Sequence, residues 1–233
     1  MTFSIAARDP ETGAFGVAVT TSGLAVGSRC PYAKAGIGAV LTQHRTDPRL
    51  GPLGLQLLSR GLTAEETLAA LVAGREDAKW RQVAVVDAAG RTAAWHGSEI
   101  YSHHGHAARD GAIAIGNLLC SETLPDAMLD CFHRRSGEPL ELRLVGALEA
   151  GLEAGGELGR LKSAGLLIVR NEDFAWMDLR VDRSADPIAE LRSLAVDYAP
   201  VAAEFERRVV LPETVPNDAA MEKAHAALLA SRN

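Results

Sequence analysis

Residues 1–43, MTFSIAARDPETGAFGVAVTTSGLAVGSRCPYAKAGIGAVLTQ, decide the fold. Phe3 to Arg8 and Phe15 to Thr20 are short β-prone runs. Between them, Asp9-Pro10-Glu11-Thr12-Gly13 places Pro where a turn wants a fixed φ and Gly where it wants φ > 0. A β-hairpin is predicted. Gly36 to Gln43 (GIGAVLTQ) has the apolar continuity of a further, buried strand.

Outward from this stretch, strands and helices come in pairs. Leu53, Leu57 and Leu58 have helical spacing, and Gly61 closes that helix. Thr63 with Glu66 forms a capping box that opens a second helix, with Leu68, Leu71 and Val72 turned inward. Strands return at Gln82–Asp87 and Arg91–His96 around Ala88-Ala89-Gly90, and Ala112 to Ile115 is another apolar strand. Ser121 is read as the cap of a helix through Met128 and Phe132. Leu140, Leu144, Val145, Leu148 and Leu152 stripe the next helix, which Gly155-Gly156 stops. Leu166–Arg170 and Trp176–Val181 are the last strands. Asp186-Pro187 opens a helix through Leu191, Leu194 and Tyr198.

Hairpins joined by helical hairpins, rather than alternating βαβ units, argue for antiparallel sheets. The expected fold class is α+β: a four-layer αββα sandwich of two antiparallel sheets over residues 1–199. Residues 200–233, with Pro212, Pro216 and an Ala-rich amphipathic end, form a C-terminal helical arm. It is expected to pack on the core or on a neighbouring subunit, giving a homo-oligomer.

Composition excludes several functions. The chain has 233 residues, 47% apolar, with a formal net charge of −6. No Lys/Arg block exceeds a dipeptide, so no nucleic-acid footprint is present. No apolar run approaches the roughly 18 to 20 residues of a membrane span. The opening lacks a basic stretch followed by an apolar one, so no signal peptide is expected. Cys30, Cys120 and Cys131 are odd in number and widely spaced, which fits a reducing, cytoplasmic compartment. Gly36-Ile37-Gly38 is too short for a dinucleotide fingerprint, and no cofactor is expected.

The opening segment is similar to that of the uncharacterised domain of unknown function 1028 family. The resemblance continues through GLTAEETLAAL, RQVAVVDAAGRTAAWHG, AIGNLL, SAGLLIVR and DLRVDRSADPIAELRSL, about 200 residues in all. It implies an Ntn-hydrolase-like fold, the N-terminal nucleophile superfamily, and a site at the start of the first strand. Thr2 would be the nucleophile after removal of Met1, with its own α-amine as base; such an amine has a pKa of about 7.7 to 8.0. A chance Thr after an initiator Met is the plain alternative.

Lys34 matches by position the cation that lowers the nucleophile pKa in such enzymes, or is an ordinary surface lysine; Arg8 and Arg29 are fallback cations. Ser22, Gly23, Gln43 and His44 lie at strand ends expected to face one cleft. Gly-containing turns suit an oxyanion hole there, and His44 would orient or protonate a leaving amine. Asn117 is expected at the start of the third helix, either aimed at the site or capping the helix. Glu157 and Ser163 fall where relatives carry an Asp or Glu and a Ser; the carboxylate either fixes a substrate or catalytic ammonium or is an exposed loop acid.

His103-His104-Gly105-His106 is a local metal-like cluster without a completing Cys or acid, so a solvated loop is expected there and no metal site. Three functions follow. The first is a hydrolase of a small amide or peptide-like compound. The second is a non-catalytic oligomeric binding protein that kept the fold. The third, weaker, is a metal-dependent hydrolase using His103, His104 and His106.

Overall fold

A computed structural model describes residues 1–215 and positions 219, 223, 227 and 230. Two strands, β1 (Thr2–Arg8) and β2 (Phe15–Thr21), open the chain as a hairpin. Gly13, at φ +73, closes its turn by giving its N–H to the Asp9 carbonyl. Next come β3 (Pro31–Lys34) and β4 (Gly38–Gln43). Helices α1 (Leu50–Ser59) and α2 (Ala64–Val72) precede β5 (Gln82–Asp87) and β6 (Thr92–His96). After β7 (His103–Arg109) and β8 (Ala112–Leu119) the chain forms α3 (Leu124–Arg134) and α4 (Leu140–Glu153). It ends in β9 (Ser163–Val169), β10 (Ala175–Val181) and α5 (Pro187–Val210).

The strands form two sheets, β10-β9-β2-β1-β8-β7 and β3-β4-β5-β6, each antiparallel throughout. The sheets stack face to face over Ala6, Phe15, Val17, Leu41, Val86, Ile113 and Ile115. The α1–α2 pair covers the smaller sheet, with Leu50, Leu58, Leu68 and Leu71 against Val40, Val83 and Val85. The α3–α4 pair covers the larger one. The result is the expected α+β, four-layer αββα sandwich.

The structure revises several local readings. Leu53 is exposed, and α1 buries Leu50, Gly51, Gly54 and Leu58 instead. Two glycines meet the sheet, at Tyr32 and Val40, so a count of large apolar residues misjudges that face. Leu152 likewise faces out of α4. Ser121 does not cap α3: the helix starts at Leu124 with no side-chain cap bond, while the Ser121 hydroxyl accepts from the Thr123 N–H at 3.2 Å. The capping box of α2 is present as read from Thr63 and Glu66. His103–His106 is not a loop but the start of β7, and Asn117 lies in β8 rather than at a helix entry.

Two compact units divide the chain, Met1–Val196 and Asp197–Asn233. The division falls inside α5, where Pro200 has no N–H to give to the Val196 carbonyl. Within the second unit the Tyr198 and Phe205 rings stack at 6.0 Å. The Ala-rich terminal helix read from sequence falls largely outside the described residues. No described helix is long and apolar enough to cross a membrane.

Candidate active site at the polar end of the sandwich

Side chains alternate across a strand, so each strand sends every second residue between the sheets. Along β1 these are Ala6, Ser4 and Thr2; along β2, Phe15, Val17, Val19 and Thr21. Along β8 they are Ile113, Ile115 and Asn117; along β4, Ala39, Leu41 and Gln43; along β5, Val86, Ala84 and Gln82. Every series is apolar at one end and polar at the other. The register brings the polar ends together, since Thr2 pairs with Asn117 and Gln43 with Gln82. One end of the inter-sheet layer is therefore hydrophobic core and the other a lined polar site.

Thr2 is buried there at the first position of a central strand. Its Oγ1 lies 3.1 Å from Thr21 Oγ1, and both hydroxyls donate to the Met1 carbonyl. Met1 itself is 40% exposed and rests its thioether against Gly159. Burial lowers the pKa of its amine, while the nearby Glu157 opposes that shift. The Glu157 carboxyl is pushed up by burial, partly offset by hydrogen bonding at Ser22, whose N–H it accepts at 2.6 Å. Its second oxygen is buried without a partner.

Beneath Thr2 a chain of amides ties the sheets together. Ser4 donates to Gln43 Oε1 at 2.7 Å, and Gln43 Nε2 donates to Gln82 Oε1 at 2.6 Å. Asn117 Nδ2 donates to the same oxygen at 2.9 Å. Gln82 Nε2 in turn donates to the Gly116 carbonyl at 2.7 Å and to His96 Nδ1 at 2.9 Å. Gln82 thus uses both N–H groups and both lone pairs. With Nδ1 accepting, neutral His96 carries its proton on Nε2 and donates to His106 Nδ1 at 2.9 Å. Burial, then His106 and His104, lower the His96 pKa to about 4. Asn117 Oδ1 is left buried and unpartnered.

His44 donates from Nδ1 to the Trp80 carbonyl at 2.7 Å, which puts its lone pair on Nε2. Its pKa is lowered, chiefly by burial. His44 and Arg45 both adopt positive φ, as does Leu118 after Asn117. Such backbone is sparsely populated by non-glycine residues and gathers at functional sites.

Of the residues singled out in the sequence, Thr2, Ser22, Gly23, Gln43, His44, Asn117, Glu157 and Ser163 converge here. Ser163 does so as a brace: its hydroxyl donates to the Gly23 carbonyl and accepts from the Val26 N–H. The N–H groups of Ser22 and Gly23 are taken by Glu157 and by Thr21 Oγ1, at 3.4 Å for the latter. They are not open to an oxyanion as drawn from the turn chemistry. Lys34 is not brought to Thr2. It pairs with Gly38, at the opposite end of β4 from Gln43, half exposed and 4.0 Å from Asp173. His103 turns to Glu122 at 3.1 Å, away from His96, His104 and His106. Among the described residues no group of three or more His, Cys, Asp or Glu side chains is arranged to hold a metal.

Ser4, Thr21, Gln82, His96 and Arg29 are site residues that motif reading passed over or ranked low. The signal for Ser4, Thr21 and Gln82 was the switch from apolar to polar within an alternating strand; His96, which follows Thr92 and Ala94 on its face of β6, carries no such switch.

This is a sandwich protein whose inter-sheet layer ends in a preformed polar site around a second-position Thr. The chain belongs to the family described as "Family of unknown function (DUF1028)", which matches residues 2–191. A crystal structure of a protein of that family from Silicibacter pomeroyi is similar at 33% identity, with a TM-score of 0.79 over 84% of this chain and 85% of that one. Anbu (ancestral β-subunit) from Yersinia bercovieri aligns at 10% identity with a TM-score of 0.39, over 93% of this chain and 99% of that one. No curated protein matches.

Proposed function

We propose that the protein is an N-terminal-nucleophile amide hydrolase acting on a small amide or peptide-like compound, with Thr2 as nucleophile once Met1 is removed. The observation that carries this reading is the pair of buried, unpartnered acceptors, Asn117 Oδ1 and Glu157 Oε2, at the end of the sandwich where Thr2 starts β1. Buried acceptors without donors are rare and costly. Removal of Met1 turns the Thr2 peptide nitrogen into a free amine directly across the ladder from Asn117, supplying the missing donor. Thr is small enough at position 2 for general aminopeptidase processing.

In the processed chain the Thr2 hydroxyl attacks the amide carbonyl while the α-amine takes its proton and returns it to the leaving nitrogen. Asn117 and Glu157 hold the amine in place, and Thr21 supports the hydroxyl. Asn117 serves the amine as an acceptor through its unpartnered Oδ1, while one N–H of its Nδ2 is given to Gln82. Water then releases the acyl group from Thr2 Oγ1.

The deciding experiment is a screen of small amides against the purified chain and Thr2→Ala, with intact mass measured on each. Loss of Met1 and turnover abolished in the mutant are expected. Uniform retention of Met1 in a native preparation, or undiminished turnover by Thr2→Ala, removes Thr2 as the nucleophile.

A further inference from the structure

A cleft of about 620 Å³ opens at the end of the larger sheet opposite Thr2. It lies between the start of α4 and the sheet face that α4 covers, where Gly16 meets Leu140 and Leu144 and pairs with Ile168. The turn after β1 and the loop before α4 form its rim, and Leu140 and Ile168 give it an apolar lining. A full strand, roughly 20 Å at the usual rise per residue, separates it from the candidate active site. The buried charges of the cleft are matched with one exception. Arg143 donates to Asp9 Oδ1 and to the Phe132 carbonyl, each at 3.4 Å, and stacks on the Phe132 ring. Asp9 also accepts from the Thr12 hydroxyl at 2.6 Å.

The exception is Glu141. It is 6% exposed and lines the cleft. Among the described residues its carboxylate has no hydrogen bond and no cation within the 4.0 Å of an ion pair. The helix backbone does not relieve it, since Leu142 and Arg143 both give their N–H to the Pro139 carbonyl. A carboxylate so nearly covered by protein needs donors, and one left without them is rare. We propose that the cleft binds a small primary amine, whose ammonium pairs with Glu141 while its carbon chain lies against Leu140 and Ile168. An ammonium supplies both the opposite charge and the missing hydrogen bonds. A quaternary ammonium has no N–H to give and is recognised by aromatic faces, and Arg170 already lies over the Trp176 ring at 4.7 Å. The cleft is a second site, independent of the reading of Thr2 as nucleophile.

Isothermal titration of the full purified chain with butylammonium, tetramethylammonium, butan-1-ol and butyrate tests the cleft. Butylammonium is expected to bind at least about tenfold more tightly than each of the other three, as a charge-assisted pair implies. Glu141→Gln keeps the shape of the side chain and removes its charge, so it should bring butylammonium down to the level of butan-1-ol. Ser136→Arg sets a cation on the exposed rim and should weaken butylammonium as well. Thr2→Ala should bind it as the unaltered chain does, which keeps this test apart from that of the nucleophile. Circular dichroism checks folding, and if Glu141→Gln does not fold, Ser136→Arg carries the test from a position outside the core. The proposal is overturned by absent butylammonium binding, or by any comparator binding as tightly. Undiminished affinity in either folded cleft variant, or lost affinity in folded Thr2→Ala, overturns it too.

Discussion

Gln82 joins the two sheets through one side chain, accepting from Gln43 and Asn117 and donating to Gly116 and His96. Gln82→Leu removes the partner of two buried donors, of the Gly116 carbonyl and of His96 Nδ1, at about 1–3 kcal/mol for each buried group left unsatisfied. Urea denaturation should show a correspondingly large loss; wild-type stability would mean the chain of amides does not form. His96, at the outer end of that chain, stays neutral far below the usual range. Its folded pKa of about 4 lies below the unfolded value of 6.5, so protons favour the unfolded state between these limits. Stability attributable to His96 is full above pH 6.5 and is lost as pH falls toward 4. An NMR titration of the His96 ring should give a midpoint near that lower value, and His96→Gln should flatten stability across the window. A ring titrating near 6.5 would count against the buried, neutral tautomer.

At the scale of elements, alternation along strands and glycines on helices decide which faces meet. α1 lies close on the smaller sheet because Gly51 faces the Tyr32 ring and Gly54 faces Val40. A Cβ on Gly51 would fall within that ring near its attachment point, where it cannot swing aside cheaply. Gly51→Ala is therefore expected to destabilise by about 1–3 kcal/mol, although Ala is the better helix former. A stabilised Gly51→Ala in thermal unfolding would refute the close approach. The strand β7 escaped sequence reading because its polar, exposed residues carry no apolar alternation; it is held as a strand by its pairing with β8, across a register shift at His103/His104. Asn117, ambiguous as a helix cap, belongs to β8 because its register continues Ile113 and Ile115.

Across the whole sandwich, the inter-sheet layer divides into an apolar part that supplies stability and a polar part that lines the candidate site. Leu41 sits in the apolar part, fully buried and two residues from Gln43 on the same strand face. Leu41→Ala opens a cavity between two sheets that are each backed by helices, so little collapse can fill it. A loss of about 2–5 kcal/mol in chemical denaturation is expected; a loss below that span would mean the sheets can close over the gap.

The amino-acid sequence by itself determined the β1–β2, β5–β6 and β9–β10 hairpins, the paired helices, the antiparallel class and the placement of Thr2 at the head of β1. Those features follow from period-two alternation, capping at Thr63 and Glu66, and turn residues such as Gly13, all of which act within a few residues along the chain. Only the tertiary structure decided which polar side chains share a site. Gln82 and Asn117 are 35 residues apart, Ser22 and Glu157 are 135 apart, and their contacts depend on strand order and sheet stacking. For the same reason Lys34 ends beside Gly38, at the end of β4 away from Gln43, while Arg29 is tied to the carbonyls of Leu24 and Ala25.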